Sequence, residues 1–174
     1  MRFWGNPWIG LVLRLVLAVV LITSGGLKMF DTDASRTAIL AYRLVPVDLA
    51  TPLALLLPAF EIVLAIALLI GFATRWAGLA TAILMGVFIV GISSVWIRGY
   101  SIDCGCFGGG GEADPEGKTW RYTSEILRDF LFLGMGVWLT FWPRTRVSVD
   151  GAVGAYSSGG SDPHVELEGA AADG

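Results

Sequence analysis

Four apolar stretches, each long enough to cross a bilayer as a helix, constrain the fold of this chain more than any other feature. Spanning about 30 Å of hydrocarbon takes about 20 helical residues. The stretches cover about residues 8–27, 49–72, 76–97 and 126–142. Trp4, Trp8, Trp76, Trp96, Trp120 and Trp142 stand near their ends, where membrane proteins place their interfacial aromatic belts. Only 16% of the residues are charged and 55% are hydrophobic, whereas soluble domains carry roughly 25% charged residues. A length of 174 residues suits one bundle rather than two domains. The small net charge of −3, arising largely in the tail, argues against a nucleic-acid-binding surface.

The expected fold is an all-α polytopic membrane four-helix bundle over residues 1–146, with a short interfacial amphipathic segment. A disordered tail is expected over 147–174, where Gly, Ser, Ala and acids leave too little apolar surface to fold. The first stretch is read as a retained helix. Its apolar run is too long for a signal peptide, Arg14 interrupts it, and no Ala-x-Ala-like site follows. Residues 28–48 space Ile39, Leu40, Leu44 and Val45 helically between charges, as an amphipathic surface helix would. Thr74 and Arg75 mark a very short turn, so the second and third helices form an antiparallel hairpin. Pro58 is expected to kink the second helix. Thr123 or Ser124, followed by Glu125, reads as the N-cap of the fourth.

Four spans put both termini on one side and the 28–48 and 98–122 segments on the other. Arg2, Arg75, Arg144 and Arg146 lie on the terminal side. Lys28, Arg36, Arg43, Arg98, Lys118, Arg121 and Arg128 lie on or near the loop side. A raw Lys/Arg count puts the loops in the cytosol. Against it stand the acids interleaved with the loop charges, the tight turn at Arg75 and the Arg144/Arg146 pair close to a helix end. The expected orientation is therefore a plasma-membrane protein with cytosolic termini and extracytoplasmic loops.

Within the second loop lie the two cysteines of the chain, Cys104 and Cys106, in the run Ile102-Asp103-Cys104-Gly105-Cys106-Phe107-Gly108. Four glycines, Gly108 to Gly111, follow as an expected flexible hinge. A disulfide between residues two apart requires the chain to turn, and the central glycine permits unusual backbone angles. So small a ring is strained, and strained disulfides are the oxidising, exchangeable ones. Closing so short a loop also removes little unfolded-state entropy, so a structural role is poorly motivated. Thiol–disulfide exchange is the leading reading. Two inert thiols, or a metal site shared between two copies, are its competitors. The chain's one histidine, His164, lies in the tail, so no four-ligand zinc site within one chain is expected.

Lys28 and Arg98 are expected at the same interface as the dithiol, where a cation would raise the reactive thiolate fraction, or they serve only as interfacial anchors. Asp103, beside Cys104, opposes thiolate formation or accepts its proton. Two ionisable groups fall inside spans, Arg14 and Glu61, and intramembrane charges are paired or functional. Antiparallel packing puts Arg14 about 6 Å from the depth of Glu61 at 1.5 Å per residue, within an arginine's reach. A structural ion pair is preferred there over a proton-carrying Glu61.

Taken in order, Ser24-Gly25-Gly26-Leu27-Lys28, Ala41-Tyr42-Arg43-Leu44-Val45-Pro46, Leu57-Pro58-Ala59-Phe60-Glu61 and Arg98-Gly99, leading to the Cys104-Gly105-Cys106 run, resemble the MauE family. These are methylamine-utilisation membrane proteins related to the DoxX-like four-helix proteins. The likeness covers about residues 8–143. It implies four transmembrane helices and disulfide handling during maturation of exported proteins, together with a thioredoxin-like partner. In methylamine utilisers the client is the disulfide-rich small subunit of methylamine dehydrogenase. Cys104 and Cys106 match the family dithiol, and Lys28, Arg43, Glu61 and Arg98 match its polar positions. Turnover would need a second electron carrier, either a quinone among the helices or a cytosolic thioredoxin. The alternatives are a non-enzymatic scaffold subunit of a membrane complex and a small-molecule or metal transporter.

Overall fold

The structure is a computed structural model, and it describes residues 7–105, 111–112 and 116–142. Five helices and one two-stranded hairpin follow in the order α1 (Pro7–Phe30), α2 (Thr32–Ala41), α3 (Val47–Ile70), α4 (Thr74–Ile97), β1 (Ile102–Asp103), β2 (Gly111–Glu112) and α5 (Lys118–Phe141). The expected tail, residues 147–174, lies outside the described residues, as do Trp4, Cys106 and Gly108 to Gly110.

The helices α1, α3, α4 and α5 each contain 24 residues, about 36 Å at 1.5 Å per residue. Three of them, α1, α3 and α4, are long and apolar enough to cross a membrane. The fourth long helix differs because Lys118, Arg121, Glu125, Arg128 and Asp129 fill its first half. The all-α fold is as expected, but the expected count of four becomes five among the described residues. The additional helix, α2, comes from the segment read as amphipathic.

Outward-facing side chains explain why such a fold requires lipid. Val19, Leu56, Val63, Ile83 and Val90 are all at least 60% exposed. In water that belt would oppose folding, whereas in hydrocarbon it costs nothing. Exposed tryptophans sit at both ends of the bundle: Trp8 and Trp76 at one, Trp120 at the other. The core holds Leu17, Leu21, Ala65, Leu68 and Leu139.

Helix pairing depends on small residues, since apolar burial alone does not drive association in lipid. A Cβ at Gly78 of α4 would stand 2.9 Å from the Gly136 carbonyl of α5, and one at Gly136 would stand 2.8 Å from the Gly78 carbonyl. On α1, a Cβ at Gly25 would meet the Pro58 carbonyl of α3 at 2.9 Å. Pro58 lies buried inside a continuous α3, with its face against α1.

Several local expectations change. The α3–α4 turn is as short as the sequence suggests, with Gly71 (φ 72°) and Ala73 (φ 48°) both left-handed. The helix α2 stops at Ala41, so Leu44 and Val45 lie beyond it. Arg43 takes φ 51°, and the residue before Pro46 is biased away from helix. The helix α5 starts at Lys118 after left-handed Gly117, not at Thr123 or Ser124. Those two hydroxyls instead bond back to the Thr119 and Arg121 carbonyls at 2.7 and 2.8 Å, the other local bond open to Ser and Thr inside helices. Gly111, expected to be part of a hinge, is held in β2 opposite Asp103.

Candidate functional site

The hairpin that carries Cys104 is anchored on two sides. Ile102 pairs with Glu112 and Asp103 with Gly111, so Cys104 and Gly105 follow directly after the paired end of β1. On the α5 side, the buried Tyr122 hydroxyl accepts from the Ile102 amide at 2.8 Å and donates to the Tyr100 carbonyl at 3.1 Å. On the α2 side, the Tyr42 hydroxyl donates to the Cys104 carbonyl at 3.3 Å, and a Cβ at Gly111 would meet Thr37 Cγ2 at 3.2 Å. Gly105, the middle residue of the cysteine pair, takes φ 68°, the left-handed turn the sequence anticipates. Cys106 itself lies outside the described residues.

Around the half-buried Cys104 thiol, acids gather rather than bases. The Cys104 thiol donates a hydrogen bond to the Glu125 side chain. One donor atom each from Asp103, Cys104 and Glu125 lie within 4.8 Å of one another. Asp103 Oδ1 also accepts from the Gly105 amide at 3.3 Å. Burial raises the pKa of Glu125, an effect partly offset by the thiol's hydrogen bond and by Arg128, reinforced by the Asp103 charge, and opposed again by Arg121. One thiol and two carboxylates also form a set of atoms able to approach a divalent cation, although structural zinc sites use four ligands, chiefly Cys and His.

Beneath the hairpin is a cavity of about 70 Å³, lined by Lys28, Ser35, Tyr42, Pro58, Phe88 and Cys104 among others. It puts Lys28 on the same internal surface as the thiol, as the sequence places them at one interface. Lys28 is nonetheless no surface anchor. At 8% exposure it donates to Glu61 Oε1 at 2.6 Å and to Ser24 Oγ at 3.1 Å, and its ammonium lies 5.0 Å from the Phe88 ring centroid. Ser35 Oγ fixes the same corner by donating to the Lys28 carbonyl at 3.1 Å.

The partner of Glu61 is therefore Lys28 rather than Arg14. Gly25 lies against Glu61, so Arg14, eleven residues earlier, sits about 16 Å further along the bundle. There the buried Arg14 Nη2 approaches the Leu69 carbonyl at 3.5 Å. Counting inward from the ends of the apolar runs misjudged the register because α1 continues to Phe30 and α3 starts at Val47.

Arg98 and Arg43 are drawn elsewhere. Arg98 Nη2 donates to the Tyr42 carbonyl at 2.6 Å, and both guanidinium groups lie over the Tyr100 ring, at 4.5 Å for Arg43 and 5.4 Å for Arg98. They clamp the end of α2 to the start of the hairpin. The sequence assigns no individual role to Tyr42, Tyr122 or Asp129, and it offers Glu125 only as a helix-start acid. The i, i+3, i+7 spacing of Tyr122, Glu125 and Asp129 was the available signal, since it places all three on one helix face. Asp129 is 2% exposed, and its Oδ1 accepts from Arg128 Nη2 at 3.1 Å.

An all-α, multi-pass membrane protein with a hairpin-borne cysteine above a buried ion pair is the class that this fold and site define. The chain belongs to the MauE family: it matches that family, described as methylamine utilisation protein MauE, over residues 6–142. It is similar to the methylamine utilization protein MauE of Methylophilus methylotrophus, with 28% identity over 156 residues, covering 88% of this chain and 80% of the relative. No solved structure matches the chain.

Proposed function

We propose that this protein is an integral membrane thiol–disulfide redox protein in which Cys104 and Cys106 exchange electrons with a thioredoxin-fold partner. The observation that carries the reading is the placement of Cys104. It stands half-buried on a braced hairpin, its thiol bonded to an acid and its inner side lining a cavity shared with Lys28. An inert thiol has no use for such bracing. In each exchange the Cys104–Cys106 dithiol gives two electrons to a partner disulfide, or the reverse, and one S–S bond forms as another breaks. A quinone among the helices or a cytosolic thioredoxin closes the cycle as second carrier.

In this reading α5 also crosses the membrane, from about Ile126, which leaves Glu125 at the interface. The termini are cytosolic and the hairpin extracytoplasmic in the plasma membrane. The family's name supports a client in methylamine utilisation, an exported disulfide-rich protein such as the small subunit of methylamine dehydrogenase.

The test is to trap Cys104 and Cys106 in intact cells with a membrane-impermeant thiol reagent, with and without prior reduction, beside lysed cells. Labelling from outside only after reduction is the expected result. Thiols that are always reduced and reachable only after lysis would overturn both the exchange role and the orientation. A scaffold role would then lead, with Cys→Ser changes leaving the phenotype intact. Metal in the purified protein, lost on Cys104→Ser, would favour transport instead.

A further inference from the structure

Resting on the exchange reading, we infer that Glu125 is the group that takes the proton from Cys104 Sγ as it becomes a nucleophile. The geometry is specific: the thiol already donates its hydrogen bond to this side chain, and Cys104 Sγ and a Glu125 carboxylate oxygen lie within 4.8 Å. The buried Oε2 of Glu125 makes no hydrogen bond among the described residues. Tyr122, one turn earlier on the same face of α5, ties the hairpin to that helix, so the thiol and carboxyl are held by one structural unit.

The electrostatics decide why a carboxylate helps here rather than hinders. A bare carboxylate next to a thiol opposes a second negative charge. Proton transfer within the pair avoids that cost, because thiol plus carboxylate becomes thiolate plus carboxylic acid with one negative charge throughout. Burial, which makes Glu125 a stronger base than an exposed glutamate, narrows the gap to the thiol. Among the described residues, the charged groups facing Glu125 are Arg121 and Arg128 from its own helix and Asp103 from the hairpin, and the titratable neighbour is the Cys104 thiol. Asp103 pushes Glu125 toward the protonated form, and the two arginines oppose it.

In the step itself the Cys104 proton moves to a Glu125 oxygen. The thiolate attacks one sulfur of a partner disulfide, the Cys104–partner S–S bond forms, and the partner's own S–S bond breaks. The proton on Glu125 passes to the departing thiolate, so protons and electrons balance within the exchange.

The experiment is the pH profile of Cys104 alkylation by iodoacetamide, a small neutral reagent, in the full-length protein carrying Cys106→Ser so that one thiol reports. With Glu125 present, the tautomer keeps the thiolate fraction nearly constant once the pair has lost its first proton, and the rate shows a plateau above the raised Glu125 pKa and below the pair's second deprotonation. In Glu125→Gln the plateau disappears, and the rate falls about tenfold per pH unit, as for an isolated thiol. Glu125→Asp, which keeps a carboxyl, retains a lower plateau. A tenfold fall per unit with Glu125 intact overturns the inference without any acid variant. So does Glu125→Gln reacting faster at every pH, the signature of an acid acting only as a neighbouring charge. Alkylation needs no redox partner. A plateau alongside failed disulfide trapping would therefore remove the exchange reading and leave the proton transfer standing.

Discussion

Lys28 Nζ and Glu61 Oε1 lie 2.6 Å apart in the bundle interior, the glutamate 0% exposed, and tie the last turn of α1 to the middle of α3. The pair is level with the cavity under the cysteine hairpin, and Ser24 takes a second hydrogen bond from the same ammonium. Removing one partner from a buried pair leaves an uncompensated charge, whereas replacing both is far better tolerated. Lys28→Met is expected to lower stability by about 3–5 kcal/mol. The double change Lys28→Met/Glu61→Leu should recover most of that. Thermal unfolding in lipid nanodiscs checks the cycle, and a double variant as weak as the single would show that the pair's charges do not matter.

The α4–α5 contact depends on Gly78 and Gly136 facing each other with no room for a Cβ. Gly78→Val should separate the helices and cost about 1–3 kcal/mol, as overpacking does. Gly134→Ala, a position on α5 with nothing within 4 Å of its would-be Cβ, should be neutral or slightly stabilising through helix propensity. Unfolding midpoints of the two variants, measured side by side, separate a packing effect from a propensity effect.

Tyr122 has a narrower role. Its hydroxyl accepts from the buried Ile102 amide and donates to the Tyr100 carbonyl. In Tyr122→Phe the Ile102 amide is left buried without that acceptor, at a cost of about 1–3 kcal/mol. The loss should be local, visible as faster hydrogen exchange at Ile102 and quicker alkylation of Cys104, with the helix core unchanged. Unaltered exchange at Ile102 would show that the hairpin is held by other contacts.

Glu125 also carries a pH signature in stability. Its folded pKa is raised above the ordinary value of 4.5, first by burial, so the folded state holds the proton more tightly than the unfolded chain. Stability from this group is full below pH 4.5 and is lost as pH rises through the raised folded value. Glu125→Gln should therefore be at least as stable as the natural chain at pH 7 and lose its advantage in acid. Denaturation midpoints between pH 4 and 8 test the sign, and a variant whose deficit grows toward neutral pH would contradict it.

Much of this architecture was legible in the residues because lipid leaves a chain few choices. Membrane-length apolar runs must be helices whose backbone bonds close internally, so α1, α3 and α4 could be placed to within a few residues. The short turn at Thr74 and Arg75 followed from its length alone. The α5 boundary was not legible: Thr123 and Ser124 carry the chemistry of an N-cap, and only packing of Tyr122 against the hairpin shows that the helix is already under way. Of the candidate site, the sequence marks Cys104, Lys28 and Glu61, but it offers Arg14 as the partner of Glu61 and gives Glu125 no role at the thiol.

The sequence by itself determined the membrane class, the helical fold, the family, and the loop that carries the two cysteines. Each follows from composition or from neighbours along the chain. The tertiary structure alone decided which charges meet. Helix register is set where Gly25 lets α1 settle onto α3, and a shift of a few residues moves a side chain by a whole turn. That register gave Glu61 to Lys28 rather than Arg14. The hairpin's seat between α2 and α5 then brought Glu125, twenty-one positions away in the chain, into contact with Cys104.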